Sequence, residues 1–138
     1  MKKLKFKIIA LVPILALMLM PSAWAQNEVT KEYHESYSAD NSTKLVIENK
    51  YGNIDIKDWD QNQVKIDVIV TVKHSNSDKA ARILDNIEVT IKESGSEIKA
   101  VTSIDDKFGN FGNNTEISVD FSVQMPSDIN INIANKYS

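Results

Sequence analysis

The sequence predicts a mainly β fold of stacked short antiparallel or solenoid-like strands, with one short α-helix at about 77–86 and a signal-peptide helix in front. Three observations carry this reading. Two long runs, 64–72 and 117–125, alternate apolar and polar residues with the period of a half-buried strand. One short stretch after Ser77 switches to helical spacing. A strand-plus-turn unit near residue 45 returns near residue 131.

The chain opens with Lys2, Lys3, Lys5 and Lys7, followed by an apolar run from Ile8 to Met20 that only Pro13 interrupts. Pro21 breaks the run, and Ala23-Trp24-Ala25 places small residues at −3 and −1 of a cleavage site. This is the three-part layout of a secretory signal peptide, cleaved after Ala25. The apolar run is shorter than the roughly 20 residues of a membrane span, so no stable span is expected after cleavage. No Cys follows it, which excludes a lipoprotein anchor.

Cleavage would leave 113 residues, enough for one small domain. Four of the 16 basic residues leave with the leader and none of the 19 acidic ones, so 12 face 19 and the mature charge is −7. An acidic domain without a Lys/Arg cluster is no partner for nucleic acid or anionic lipid. The chain has no Cys, so its core alone must hold it together. The same count excludes zinc–thiolate sites and Cys nucleophiles, and no cofactor is expected.

Residues 26–42 are polar without clear periodicity and read as a mobile leader or an irregular first edge strand. The β-rich domain is expected over 43–138. Leu45 and Ile47 alternate into an Asn49-Lys50-Tyr51-Gly52 turn. Ile54 and Ile56 form the next short strand, and residues 58–62 (DWDQN) turn again. Val64, Ile66, Val68, Val70 and Val72 then line one face, opposed by Lys65, Asp67, Thr71 and Lys73.

Ser77 is expected to cap the helix, with Asp78 favoured in its first turn by the dipole. Ala80, Ile83, Leu84 and Ile87 make its apolar stripe, and so short a helix needs a sheet to pack on. Ile87, Val89 and Ile91 alternate as a strand, Ser94-Gly95-Ser96 is a hairpin turn, and Ile98, Ala100 and Thr102 carry the return. Residues 105–115 form a Gly/Asn-rich loop. Two more strands run over Ile117–Met125 and Ile129–Ile133, making about seven strands in all.

Residues 131–138 (INIANKYS) repeat the pattern of residues 45–52 (LVIENKYG), 86 positions on. Such recurrence suggests stacked rungs. Ser138 stands where the first unit has its turn Gly, and the last strand is expected to leave an exposed edge. The reading is therefore of a chain incomplete at its C terminus, with self-association through that strand as one consequence.

These segments resemble a family. Residues 45–59 (LVIENKYGNIDIKDW), the Val/Ile strand at 63–73, the helix SDKAARILDNI and the late MPSDININIANKY segment are similar to the adhesin family of exported Bacteroidota proteins, the DUF4097-like group. The resemblance covers about Lys44 to the C terminus. It implies a right-handed β-solenoid-like stack in the cell envelope, with an envelope protein or a glycan as partner, and it brings no catalytic residues. The expectation is an exported, non-enzymatic adhesin-like surface. The alternative is a small periplasmic carbohydrate-binding module. The final compartment is the periplasm, the cell surface or the medium.

Candidate sites are few. Tyr51, Trp59, Phe108 and Phe111 offer ring faces for a sugar. Capping the core is the default for Tyr51 and Trp59, and the Phe pair is the better exposed candidate. Residues 58–62 begin like a Ca²⁺ loop, but Gln63 and Ile69 stand where Gly and Glu are required, so turn chemistry explains them better. His34 and His74 have no neighbouring Ser/Asp arrangement and no G-x-S-x-G elbow.

Overall fold

The computed structural model describes residues 27–105 and 115–136. In chain order these form β1 (Asn27–Ser38), β2 (Lys44–Lys50), β3 (Ile54–Asp58), β4 (Gln63–His74), α1 (Ser77–Asp85), β5 (Ile87–Ser94), β6 (Glu97–Ile104), β7 (Glu116–Met125) and β8 (Asn130–Lys136). The mainly β architecture with one short helix is the one the alternation implied.

The strands make two four-stranded sheets, ordered β1-β4-β7-β3 and β5-β6-β2-β8. Both are mixed. The pairs β1–β4, β4–β7 and β5–β6 are antiparallel, while β2–β6, β2–β8 and β3–β7 are parallel. The expected stack of short antiparallel or solenoid-like strands is built in both directions, which the sequence left open: parallel in β6-β2-β8 and β7-β3, antiparallel in the other pairs. The physical reason is that alternation records which face is buried and carries no information on strand direction.

Alternation does set the faces. Val64, Ile66, Val68, Val70 and Val72 of β4 are all fully buried, as is Val119, and Phe121 and Val123 nearly so. Leu45 and Ile47 of β2, with Ile98 and Ala100 of β6, face them from the second sheet within one core cluster. Burying each such aliphatic side chain stabilises the fold by about 1.5–3 kcal/mol.

The polar segment 26–42 takes the second of its two readings. Asn27–Ser38 is an edge strand, paired along its whole length with β4 from Asn27↔His74 to Ser38↔Gln63, and not a leader detached from the sheet. The described strands therefore number eight. Tyr33 and Tyr37 of β1 close this side of the core, their hydroxyls meeting Val89 N at 3.3 Å and Ile91 O at 3.4 Å in β5.

The helix packs on β4 and β1 and buries Ala80 and Ile83. Its N-cap is Asn76 and not Ser77: the Asn76 side chain accepts a hydrogen bond from Lys79 N at 3.0 Å. Either residue type satisfies an orphan N–H, so composition could not separate neighbours. Ile87 belongs to β5 and is buried there. The Ser94-Gly95-Ser96 hairpin is realised, with Gly95 at φ 62 joining Ser94 to Glu97.

Candidate functional site

The Asn49-Lys50-Tyr51-Gly52 turn carries β2 of one sheet into β3 of the other, so its residues meet both. Asn49 is buried at 3% exposure. Its Nδ2 donates to the Val119 carbonyl at 2.9 Å, and its Oδ1 accepts from Thr102 Oγ1 at 2.8 Å. One amide thereby ties β2 to β6 and to β7 across the sandwich. A buried amide is tolerated because both ends are satisfied. Tyr51 takes a positive φ of 62, its N–H donating to the Lys136 carbonyl and its carbonyl accepting from Val119 N.

An open cleft of about 610 Å³ lies at this end of the second sheet, with Glu48, Lys50, Thr102, Asn135 and Lys136 among its lining. It offers both signs of charge and two side-chain amides, Asn49 and Asn135.

Tyr51 and Trp59 stand apart. Both are half-buried and lie beyond opposite ends of the five-residue strand β3, some 17 Å of extended chain between them. Trp59 Nε1 donates to the Gln63 carbonyl at 2.8 Å, and Trp59 N to the Met125 carbonyl at 3.0 Å. Both bonds fix the β3–β4 turn, which is the capping role. Phe108 and Phe111 lie outside the described residues, as do Ala23 and Ala25 of the cleavage site. Among the described residues, no group of three or more His, Cys, Asp or Glu is placed to hold a metal ion.

A charged cluster on the outer face of the first sheet was missed by sequence reading. His34 Nδ1 lies 2.6 Å from Asp67 Oδ1, and Nε2 lies 2.9 Å from Glu32 Oε1. The β1–β4 register sets His34 opposite Asp67, and Glu32 lies two residues from His34 on the same face. With a carboxylate at each ring nitrogen, the imidazolium donates two bonds. The hydrogen bonds that the ring donates to Asp67 and then Glu32 raise the His34 pKa above its ordinary 6.5.

That shift has a sign. A raised folded-state pKa gives stability that is complete below the unfolded value and lost as pH rises through the folded one. The His34 side chain is 59% exposed, so solvent screening keeps the effect small. NMR titration of the ring is expected to give a pKa above 6.5 that falls in Asp67→Asn. The urea midpoint should decline from pH 6 upward in the parent and less so in the variant. An unshifted ring in the parent would contradict the cluster.

Among the described residues, the side formed by β3 and β8 carries exposed apolar groups. Ile131 and Ile133 of β8 are 40% and 39% exposed, although they share the core-facing side with their partners Leu45 and Ile47. Ile54 and Ile56 of β3 are half-buried. Among the described residues, each of these two strands pairs on one edge only.

No family model matches the chain, and no curated protein matches it significantly. Among solved structures it is similar to one described as a "putative cell adhesion protein" from Clostridium sporogenes ATCC 15579, with a TM-score of 0.38 and 13% identity. The match covers 76% of this chain and 48% of that one, so the chain spans about half the neighbour's length. A likeness at that score is no evidence for shared fold or activity. Among the described residues, no helix is long and apolar enough to cross a membrane.

Proposed function

We propose that this chain is an exported, non-enzymatic cell-envelope domain that acts by presenting a β surface to a partner, in the manner implied by its resemblance to the DUF4097-like adhesin group. In this reading residues 1–25 are the signal peptide, and the strands that follow are the working part. The observation that supports it is the exposure of Ile131 and Ile133 on the β3/β8 side among the described residues. Adjacent exposed apolar side chains on one strand are a feature of interaction surfaces. Tyr51 and Trp59 serve the turns that hold this side in place.

The address is tested by expressing the full chain with a C-terminal tag in a bacterial host and fractionating the cells. The expected product is of mature size, begins at Gln26 and sits outside the cytoplasm. Ala25→Arg is expected to leave a longer, membrane-tethered precursor. Cytoplasmic full-length protein in the parent, or unchanged processing in the variant, would contradict the proposal.

A further inference from the structure

Among the described residues, β1 joins the first sheet by one edge only, along β4. None of its residues is fully buried: Val29, Lys31, Tyr33 and Tyr37 are half-buried and the rest exposed. The neighbouring β4 buries five Val and Ile side chains completely. An edge strand with so little burial opens before the central strands do.

On the outer face, one side chain fastens β1. His34 Nδ1 lies 2.6 Å from Asp67 Oδ1 across the strand pair, and Nε2 lies 2.9 Å from Glu32 Oε1 along β1. An imidazolium has an N–H for each carboxylate. A neutral imidazole has one N–H and one lone pair. Removing the proton therefore turns one carboxylate toward a lone pair. In one tautomer the bond to Asp67 is lost. In the other it survives without the ring's positive charge, and is weaker for that. Either way the tie between β1 and β4 slackens.

The surroundings leave the proton in control of this tie. On the same face the register sets Lys65 opposite Ser36 and Ile69 opposite Glu32, and β7 adds Ser122 beyond Asp67 and Asp120 beyond Ile69. Among the charged groups, only Asp67 and Glu32 act on the ring. Lys31 and Glu35 of β1 alternate to the other face. α1 and β5 meet β1 from the core side, where Val29, Tyr33 and Tyr37 pack, so their charges do not face His34.

We infer that His34 is a proton-operated latch on β1, closed while the ring carries both protons and released as the ring becomes neutral. The ring is more basic in the folded strand pair than free. The latch therefore contributes fully below the ordinary 6.5 and is lost as pH rises through the folded value. Release loosens the strand beside Val68 and Val70, together with the Tyr33 and Tyr37 bonds to β5. Global stability changes little at so exposed a ring, so the effect is read at β1 itself. The latch does not depend on the proposed envelope role.

The test is amide hydrogen exchange by NMR of the processed chain at pH 6 and pH 8, corrected for the intrinsic rate of each amide. Amides of β1 between Thr30 and Ser36 are expected to open more often than those at the centre of β7. Their opening should also be at least about twofold more frequent at pH 8 than at pH 6. His34→Gln, at an exposed position, should fold like the parent and lose this pH dependence although His74 remains. Asp67→Asn should reduce it. Equal opening at the two pH values in the parent would overturn the inference. So would a rise of the same size in His34→Gln, or β1 amides that exchange only through global unfolding.

Discussion

Val68→Asp is expected to abolish folding. Val68 is fully buried at the middle of β4, flanked in register by Tyr33 of β1 and Phe121 of β7. A carboxylate there has no cation in the apolar cluster around it. Burying it unpaired costs several kcal/mol, either as desolvation or as forced protonation. A domain of this size has only about 5–15 kcal/mol in hand. Far-UV circular dichroism should lose its β signature, and no cooperative melt should remain. The adjacent residue supplies the control. Ile69 is 44% exposed and lies between Glu32 and Asp120 in the register. Ile69→Lys should therefore fold normally. A cooperative melt for Val68→Asp would contradict the assignment of faces in the first sheet.

Gly52→Ala is the second large effect. A Cβ built at Gly52 would lie 1.9 Å from the Val119 carbonyl oxygen and 2.6 Å from its carbon. Both are backbone atoms of β7, so the β2–β3 turn must move away from the sheet. The cost is of the overpacking kind, about 1–3 kcal/mol and more where backbone must shift. It should also loosen Asn49, whose amide bonds the same carbonyl. Gly95 makes the contrast: its φ is +62 and nothing lies within 4 Å of a Cβ there. Gly95→Ala should lose only the smaller cost of a left-handed residue, about 1 kcal/mol. Urea midpoints of the two variants measure the difference, and equal losses would contradict the close approach at Gly52.

The strands most legible in the sequence are those with one face wholly inside. β4 and β7 alternate cleanly because each central strand buries one face against the second sheet. β1 was ambiguous for a reason its burial shows. Its inward positions include Lys31 and Glu35 between the half-buried Val29, Tyr33 and Tyr37, so the edge strand carries a diluted pattern. Strand direction was not legible at all, and the mixed sheets follow from chain connections that alternation does not encode. Asn49 read as a turn residue, yet it is a buried bridge between three strands. The one hint was its recurrence as Asn135 after a strand of the same pattern. The His34 cluster left no sequence signal, because Asp67 comes opposite His34 only through the β1–β4 register.

β8 lies parallel on β2 in the register that repeats the turn asparagines Asn49 and Asn135. The chain has no Cys, so paired cysteines report on it without background. Glu48 and Ala134 are register partners on the outer, exposed side of the second sheet. Cysteines at 48 and 134 should form a disulfide readily under mild oxidation, since neighbouring strands lie within the Cα separation such bonds need. Cysteines at 48 and 132, two positions out of register, should stay largely reduced. Efficient closure of the 48–132 pair with an open 48–134 pair would contradict the register.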